Sequence, residues 1–212
     1  QKDNFLKRIK EFKSHPIGEN KIVFLGNSIT YGLRHWNESF GTGDIVNRGI
    51  SGDISNGILN RLDEIIFYKP IAVFLLIGIN DFFDDNCSRP ERTPEYVAKN
   101  ILEAAKTIKS GSPQTKVFIQ TILPINNQQY LEDKPDYRFL YPDYPSINDQ
   151  IKKTNEIILK DNDFEIIDLH PHFLDKDHKL MRKLSTDGVH LNSQGYQKLV
   201  NILKPFIEAV KK

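Results

Sequence analysis

The sequence has little cysteine, no excess of charge of either sign and no long apolar run. Cys87 is the single cysteine among 212 residues, so no disulfide can form within the chain. The 29 Lys and Arg residues nearly equal the 28 Asp and Glu residues, a balance that argues against a protein that tracks nucleic-acid phosphates. The longest apolar run, Ile71 to Ile77, is too short to cross a bilayer. We therefore expect a soluble globular protein.

The composition that remains favours one domain covering residues 1–212. Hydrophobic residues make up 39% of the chain and charged residues 27%, enough apolar material for a sizeable core. Gln1 stands where an initiator Met would be expected. We interpret this as removal of a leader peptide, which predicts a periplasmic or secreted protein. The alternatives are trimming for expression and a cytoplasmic location.

Short apolar runs alternate with segments of helical period. The runs that we interpret as buried strands are Ile22–Leu25, Asp44–Asn47, Ile71–Ile77, Lys116–Gln120 and Phe164–Ile167. The segments between them carry apolar stripes at helical spacing, of which one comprises Ile58, Leu59, Leu62, Ile65 and Ile66. Strands that alternate with helices predict a parallel sheet covered on both faces. We expect an α/β fold with three layers, helix, sheet and helix.

Two segments stand apart from this alternation. Residues 1–20 predict a leading helix on the outside of the domain, with Phe5, Ile9 and Phe12 on one face. Residues 126–145 form an insertion that is long for an ordinary connection and holds Tyr130, Tyr137, Phe139, Tyr141 and Tyr144. Such rings suit the wall of a site for sugars or acyl chains. A packed loop without contact to substrate is the alternative.

Four short polar islands follow these elements. They read Gly26-Asn27-Ser28-Ile29-Thr30, Ser51-Gly52-Asp53, Gly78-Ile79-Asn80-Asp81 and Asp187-Gly188-Val189-His190. Ligands of a parallel sheet bind beyond the carboxyl ends of its strands. Since Ser28, Gly52 and Asn80 each follow a predicted strand closely, we expect all three at one rim of the sheet.

The islands contain the residue types that a serine nucleophile needs to hydrolyse an ester. His190 can take the hydroxyl proton of Ser28, and Asp187 can hold the imidazole in the required tautomer. The N–H groups of Ser28 and Gly52 and the side-chain amide of Asn80 can donate to an oxyanion. We therefore predict Ser28, His190 and Asp187 as catalytic residues and Ser28, Gly52 and Asn80 as the oxyanion hole. This chemistry needs no metal and no organic cofactor.

Each island also has a plainer interpretation. Ser28 could cap a helix, Gly52 and Gly78 could be turn glycines, Asn80-Asp81 could be a capping pair, and Asp187 and His190 could belong to a surface turn. All of these would have to hold at once, so we favour the catalytic interpretation.

In these four blocks the chain resembles the SGNH hydrolase superfamily, the GDSL-like lipases and acylhydrolases. The phrases Asn47-Arg48-Gly49-Ile50-Ser51-Gly52-Asp53 and Ile77-Gly78-Ile79-Asn80-Asp81 are most similar to the branch of platelet-activating-factor acetylhydrolases and lysophospholipase L1-like esterases. The resemblance implies a flavodoxin-like sheet of five parallel strands and the same five site residues. Asn27 departs from the Asp of the name-giving motif, at a position without a proton-transfer role in the family.

Other candidates receive structural interpretations. Asp168, His170, His172, Asp175, Asp177 and His178 resemble metal ligands by composition, but their irregular spacing favours a structural turn. Cys87 is interpreted as a loop thiol. Arg34, His35 and Trp36 follow Ser28 closely, and we expect them to line its cleft.

The sequence thus predicts a serine esterase that removes a short acyl group, acetyl in our interpretation, from a decorated carbohydrate. The expected partner is a small-molecule or glycan ester, with neither nucleic acid nor a membrane span involved. A lysophospholipase or thioesterase for longer acyl chains is one alternative. A non-catalytic carbohydrate-binding relic of the fold is the other.

Overall fold

A sheet of five parallel strands forms the centre of the computed structural model, which describes residues 2–83, 91–139 and 145–211. The strand order is β2-β1-β3-β4-β5. The strands are β1 (Ile22–Gly26), β2 (Ile45–Gly49), β3 (Ala72–Leu76), β4 (Lys116–Gln120) and β5 (Glu165–Ile167). This topology is that of flavodoxin, and the prediction of a three-layer α/β fold is confirmed.

The sheet order places the first island at a switch point. β1 pairs in parallel with β2 on one side, with Gly26 opposite Gly49, and with β3 on the other side, with Gly26 opposite Leu76. The connection from β1 runs to β2 on one side, and the connection from β2 returns past β1 to β3 on the other side. Such a reversal opens a crevice beyond the carboxyl end of β1. Ser28 lies two residues past that end.

Helices cover both faces of the sheet. In the described residues they are α1 (Lys2–Ser14), α2 (Ser28–Gly32), α3 (Trp36–Phe40), α4 (Ser55–Leu59), α5 (Asp63–Tyr68), α6 (Pro94–Gly111), α7 (Asn127–Asp133), α8 (Ile147–Ile158), α9 (His170–Phe173) and α10 (Ser193–Val210), with short 3₁₀ helices at Ile79–Asp81 and Arg182–Leu184. None of the helices in this described part combines the length and apolarity needed to cross a membrane.

The two central strands β1 and β3 are apolar along their length because both of their faces are buried. In β1, Val23 and Leu25 belong to the core cluster that includes α6 and α8, whereas Ile22 and Phe24 belong to the cluster that includes α10. On the second face, Phe24 stacks on Phe74 with ring centroids 5.0 Å apart. The two clusters are the two cores of the sandwich.

The structure divides the stripe at residues 58–66 between two short helices, α4 and α5. The N–H groups of Asn60 and Arg61 donate to carbonyls three residues earlier, which closes α4, and Arg61 then turns its side chain into the core. Asp63 and Glu64 in the first turn of α5 suit the positive end of a new helix.

The insertion at residues 126–145 is not wholly irregular, because it begins with α7. Asn126 caps this helix by accepting a hydrogen bond from the N–H of Gln129 at 3.0 Å. Tyr141 and Tyr144, like Cys87, lie outside the described residues.

Candidate active site

Ser28 occupies the first position of α2, directly after β1. Asn27 caps this helix, since its side chain accepts a hydrogen bond from the N–H of Ile29 at 3.0 Å. The alternative that Ser28 itself is the cap is therefore wrong. Ser28 is half-buried, so its hydroxyl is not committed to the core.

His190 and Asp187 complete a chain of hydrogen bonds to this serine. His190 Nε2 lies 3.0 Å from Ser28 Oγ, and His190 Nδ1 lies 2.6 Å from Asp187 Oδ2. When Nδ1 carries the ring proton and donates it to Asp187, Nε2 is left to accept the hydroxyl proton of Ser28. The predicted nucleophile, base and acid are thus within hydrogen-bonding distance, the geometry that this chemistry requires.

Asp187 is held as a carboxylate by its own loop. Burial by itself would raise its pKa, but hydrogen bonds from the His190 side chain and from the N–H groups of His190 and Val189 lower the pKa below its ordinary value. Those two N–H groups donate to Asp187 Oδ1 at 2.8 and 2.9 Å. An ionised carboxylate both orients the imidazole and stabilises the imidazolium.

The loop that carries Asp187 and His190 rests against the start of the insertion. Gly188 has a φ of +88°, and a Cβ atom there would lie 2.3 Å from the carbonyl oxygen of Asn126. The N–H of Asn126 donates to the carbonyl of Gly188 at 2.7 Å. Because contact is this close, only glycine fits, and α7 is fixed beside the loop of Asp187 and His190.

Gly52 stands in the turn that follows β2. The N–H of Asp53 donates to the carbonyl of Ile50 at 3.1 Å, and Gly52 has a φ of +81°, as the third residue of a type II turn requires. Within the described residues, the N–H groups of Gly52 and Ser28 have no protein acceptor. Both are therefore available to a negatively charged oxygen.

Asn80 lies in the 3₁₀ helix after β3 and contacts the Gly52 turn directly. Its side-chain nitrogen donates to the carbonyl of Asp53 at 2.8 Å. This hydrogen bond uses one of the two N–H groups of the Asn80 amide and fixes the direction of the other. Ile79 and Asp81 on either side are buried, whereas Asn80 is half-buried, so the amide lies at the rim and not in the core.

A buried ion pair under this rim was not predicted from the sequence. Arg61 Nε donates to Asp53 Oδ2 at 2.8 Å, and its terminal nitrogens donate to the carbonyls of Arg48 and Gly26 at 2.9 and 3.0 Å. Burial raises the pKa of Asp53, an effect that Arg61 opposes. Arg61 joins the ends of β1 and β2 to the Gly52 turn. No local pattern marks it, because its role depends on partners distant in sequence.

Trp36 does not line the cleft, contrary to the prediction. It is 3% exposed, its ring stacks on Phe24 at 4.2 Å, and its indole N–H donates to the carbonyl of Thr30 at 3.0 Å. Its apolar ring and satisfied N–H make it a core residue. His35 is exposed beside Glu38, and Arg34 lies over the Tyr31 ring at 3.6 Å.

The histidines and acids of residues 168–178 do not converge. His170 begins α9, and its Nδ1 lies 2.8 Å from the carbonyl oxygen of Ile122, while burial lowers its pKa. Asp175 Oδ1 accepts hydrogen bonds from the N–H groups of Asp177 and Lys179. In the described parts of the chain, no three His, Cys, Asp or Glu side chains are grouped as metal ligands.

Four aromatic rings pack together beside the candidate site. We call them the aromatic cluster: Phe83, Tyr130, Tyr137 and Phe139. Ring centroids are 5.2 Å apart for Phe83 and Tyr130, and 4.9 Å apart for Tyr137 and Phe139. Phe83 follows Asn80 by three residues, and the backbone nitrogen of Tyr130 lies against Gly188. All four rings are half-buried.

The fold and this arrangement can be compared with known proteins. The model of the GDSL-like Lipase/Acylhydrolase family matches residues 24–198. The class of the protein is therefore carboxylic ester hydrolase. Because the match covers most of the sequence, the chain belongs to the GDSL-like lipase and acylhydrolase family, as the resemblance predicted.

Individual relatives and solved structures support this family assignment. Platelet-activating factor acetylhydrolase IB subunit alpha2 of Rattus norvegicus is 26% identical over 201 residues, which cover 91% of this chain and 76% of the relative. A GDSL-like lipase structure from Bacteroides thetaiotaomicron has a TM-score of 0.77 at 24% identity, covering 97% and 98% of the two chains. The acetyl xylan esterase AlAXEase has a TM-score of 0.68 at 21% identity, covering 88% and 99%. The last two likenesses concern the fold alone.

Proposed function

We propose that this ester hydrolase uses Ser28 as its nucleophile and removes an acetyl group from a decorated carbohydrate. The observation that supports the mechanism is the chain of hydrogen bonds from Ser28 through His190 to Asp187, at 3.0 and 2.6 Å. A hydroxyl becomes a competent nucleophile when a base held in this way takes its proton.

The reaction proceeds in two steps. Ser28 Oγ attacks the ester carbonyl while His190 Nε2 takes the hydroxyl proton, and Asp187 stabilises the resulting imidazolium. The carbonyl oxygen becomes an oxyanion that accepts from the N–H groups of Ser28 and Gly52 and from the Asn80 amide. His190 then gives its proton to the departing alcohol, which leaves acetyl-Ser28. A water molecule, deprotonated by His190, hydrolyses this ester and restores the serine.

The aromatic cluster and the relatives both support a short acyl group. The four rings pack on one another near the loop of Asp187 and His190, and we infer that they close the cleft to long acyl chains. The names of the rat relative and of AlAXEase both describe removal of an acetyl group. A pocket that excludes a longer chain forfeits about 0.8 kcal/mol of burial for each methylene that cannot enter.

Initial rates with p-nitrophenyl acetate and octanoate test the chain length. We expect a higher kcat/KM for the acetyl ester, and preference for octanoate would favour the alternative of a lysophospholipase or thioesterase. Tyr137→Ala should relax the preference because it removes a ring of the aromatic cluster. Phe67→Ala is the matched control, since Phe67 is 75% exposed at the end of α5 that leads into β3, the opposite rim of the sheet.

The acceptor is tested separately with acetylated xylo-oligosaccharides and with a short-chain acetylated phospholipid. A carbohydrate acceptor is favoured by the polar and aromatic residues of the insertion, because ring faces beside polar groups suit sugars. The name of the rat relative favours the lipid. A higher kcat/KM on the oligosaccharide supports the proposal. A higher value on the phospholipid contradicts the carbohydrate assignment while leaving the acetyl assignment intact.

A further inference from the structure

A buried polar network lies directly beneath the candidate oxyanion donors. Asp81 accepts two hydrogen bonds from Ser55, one from its N–H to Oδ2 at 2.8 Å and one from its hydroxyl to Oδ1 at 2.7 Å. The side-chain amide of Asn100, on α6, donates to the Ser55 hydroxyl at 3.0 Å. Asp81, Ser55 and Asn100 are 3%, 1% and 7% exposed, so none of them can contact a substrate.

The network joins the two loops that carry the oxyanion donors. Ser55 begins α4, three residues after Gly52, and Asp81 follows Asn80 in sequence. With the bond from Asn80 to the carbonyl of Asp53, three hydrogen bonds cross between the loops. The separation of the Gly52 N–H from the Asn80 amide therefore depends on these bonds.

We propose that Asp81 is a positioning residue, which acts through Ser55 to hold Gly52 and Asn80 at the separation that the transition state requires. This inference rests on the proposed oxyanion roles of Gly52 and Asn80. A carboxylate suits this role because one of its oxygens accepts from the N–H of Ser55 and the other accepts from the Ser55 hydroxyl. An amide, with one oxygen, replaces only one of these acceptors.

Burial makes this carboxylate costly to keep. It raises the pKa of Asp81 to about 6, although the hydrogen bonds from Ser55 oppose the increase. A neutral side chain at position 81 would avoid the free-energy cost of burying a charge. Stability alone therefore does not account for a carboxylate here.

Ser55→Ala and Asp81→Asn test the proposal on the full-length enzyme with p-nitrophenyl acetate. Oxyanion donors act mainly in the transition state, so we expect kcat to fall with KM nearly unchanged. The expected loss is about tenfold for Ser55→Ala and about 10- to 100-fold for Asp81→Asn. The double variant should lose no more than Asp81→Asn alone, since both changes break one connection. Each kcat is calculated per active site, and the concentration of active sites is measured by titrating the reactive serine with a fluorophosphonate.

Ser112→Ala is the matched control. Ser112 is fully buried, and its hydroxyl lies 2.6 Å from Thr115 Oγ1, just before β4 at the opposite rim of the sheet. Its loss should lower the melting temperature without changing kcat. A kcat for Ser55→Ala and Asp81→Asn that matches this control would overturn the proposal.

Asn80→Ala separates this inference from its premise. We expect it to lower kcat about 10²- to 10³-fold. If Asn80→Ala leaves kcat unchanged, the proposed oxyanion role of Asn80 is wrong. If it lowers kcat while Asp81→Asn does not, the oxyanion role stands and the positioning role is wrong.

Discussion

Replacing Arg61 with methionine should destabilise the protein strongly, because its guanidinium is the charged partner of a buried carboxylate. The side chains of Arg61 and Asp53 are 6% and 3% exposed, and the closest nitrogen and oxygen are 2.8 Å apart. Arg61→Met removes the cation and leaves the Asp53 carboxylate buried. It also removes the donors to the carbonyls of Arg48 and Gly26.

The expected loss is about 3–5 kcal/mol of the free energy of unfolding, the usual effect of removing one member of a buried ion pair. Adding Asp53→Asn should restore part of this loss, because it removes the uncompensated charge while Asn keeps an acceptor for the N–H of Ile54. A coupling of about 1–3 kcal/mol between the two positions is expected.

Urea unfolding followed by circular dichroism measures these quantities, provided that the slope against urea is unchanged. Arg182→Met is the matched control, since Arg182 pairs with Glu132 on the surface. Its unfolding midpoint should equal that of the wild type. A loss below about 1 kcal/mol for Arg61→Met would refute the reasoning that buried charge requires this partner.

Four further predictions concern the loop of Asp187 and His190 and the buried Asp81. Asp187→Asn should lower kcat on p-nitrophenyl acetate about 10⁴-fold, because the amide favours the wrong imidazole tautomer of His190. The pKa of Asp187 is lowered from 3.8, so the ionised carboxylate should stabilise the fold above about pH 4 and lose this contribution below it. Acid titrations of stability that compare wild type with Asp187→Asn measure this. Gly188→Ala should lower kcat about 100-fold, because the added Cβ meets the carbonyl of Asn126 at 2.3 Å. Burial raises the pKa of Asp81 from 3.8 to about 6. Relative to Asp81→Asn, the wild type should therefore lose about 3 kcal/mol of stability as the pH rises from about 4 to about 6 in urea titrations.

Each of these has an outcome that contradicts it. Equal loss of stability below about pH 4 in wild type and Asp187→Asn would show that the pKa of Asp187 is not lowered. Asp187→Asn with more than a tenth of wild-type kcat would show that Asp187 does not orient His190. Wild-type kinetics in Gly188→Ala would mean that the loop moves away from Asn126 without cost. Parallel stability curves for wild type and Asp81→Asn between about pH 4 and pH 6 would show that Asp81 has an ordinary pKa.

The strands were predictable because a strand buried on both faces is mainly apolar, as β1 and β3 are along their whole length. Lys116–Gln120 matches the observed β4 residue for residue, and the other strands differ from prediction by no more than two residues at an end. Helix boundaries were less predictable. The break between α4 and α5 depends on the ion pair of Arg61 with Asp53. The helical spacing of the apolar residues from Ile58 to Ile66 does not predict this pair.

The candidate site was predictable in its residue types but not in its support. Ser28, Gly52, Asn80, Asp187 and His190 lie in short islands whose chemistry can be read locally. Ser55 and Asn100 could not be identified in this way, because they are 26 and 45 residues from their partners in the network. Trp36 was misplaced since proximity in sequence to Ser28 does not reveal which way a ring packs.

Trapping the acyl-enzyme tests the central claim most directly. The protein is mixed with p-nitrophenyl acetate, quenched in acid within the first turnover, digested and analysed by mass spectrometry. We expect one added acetyl group on the peptide that contains Ser28, and neither acetylation nor turnover in Ser28→Ala, whose fold should be unchanged. Acetylation of a different serine, or turnover by Ser28→Ala near that of the wild type, would contradict the account.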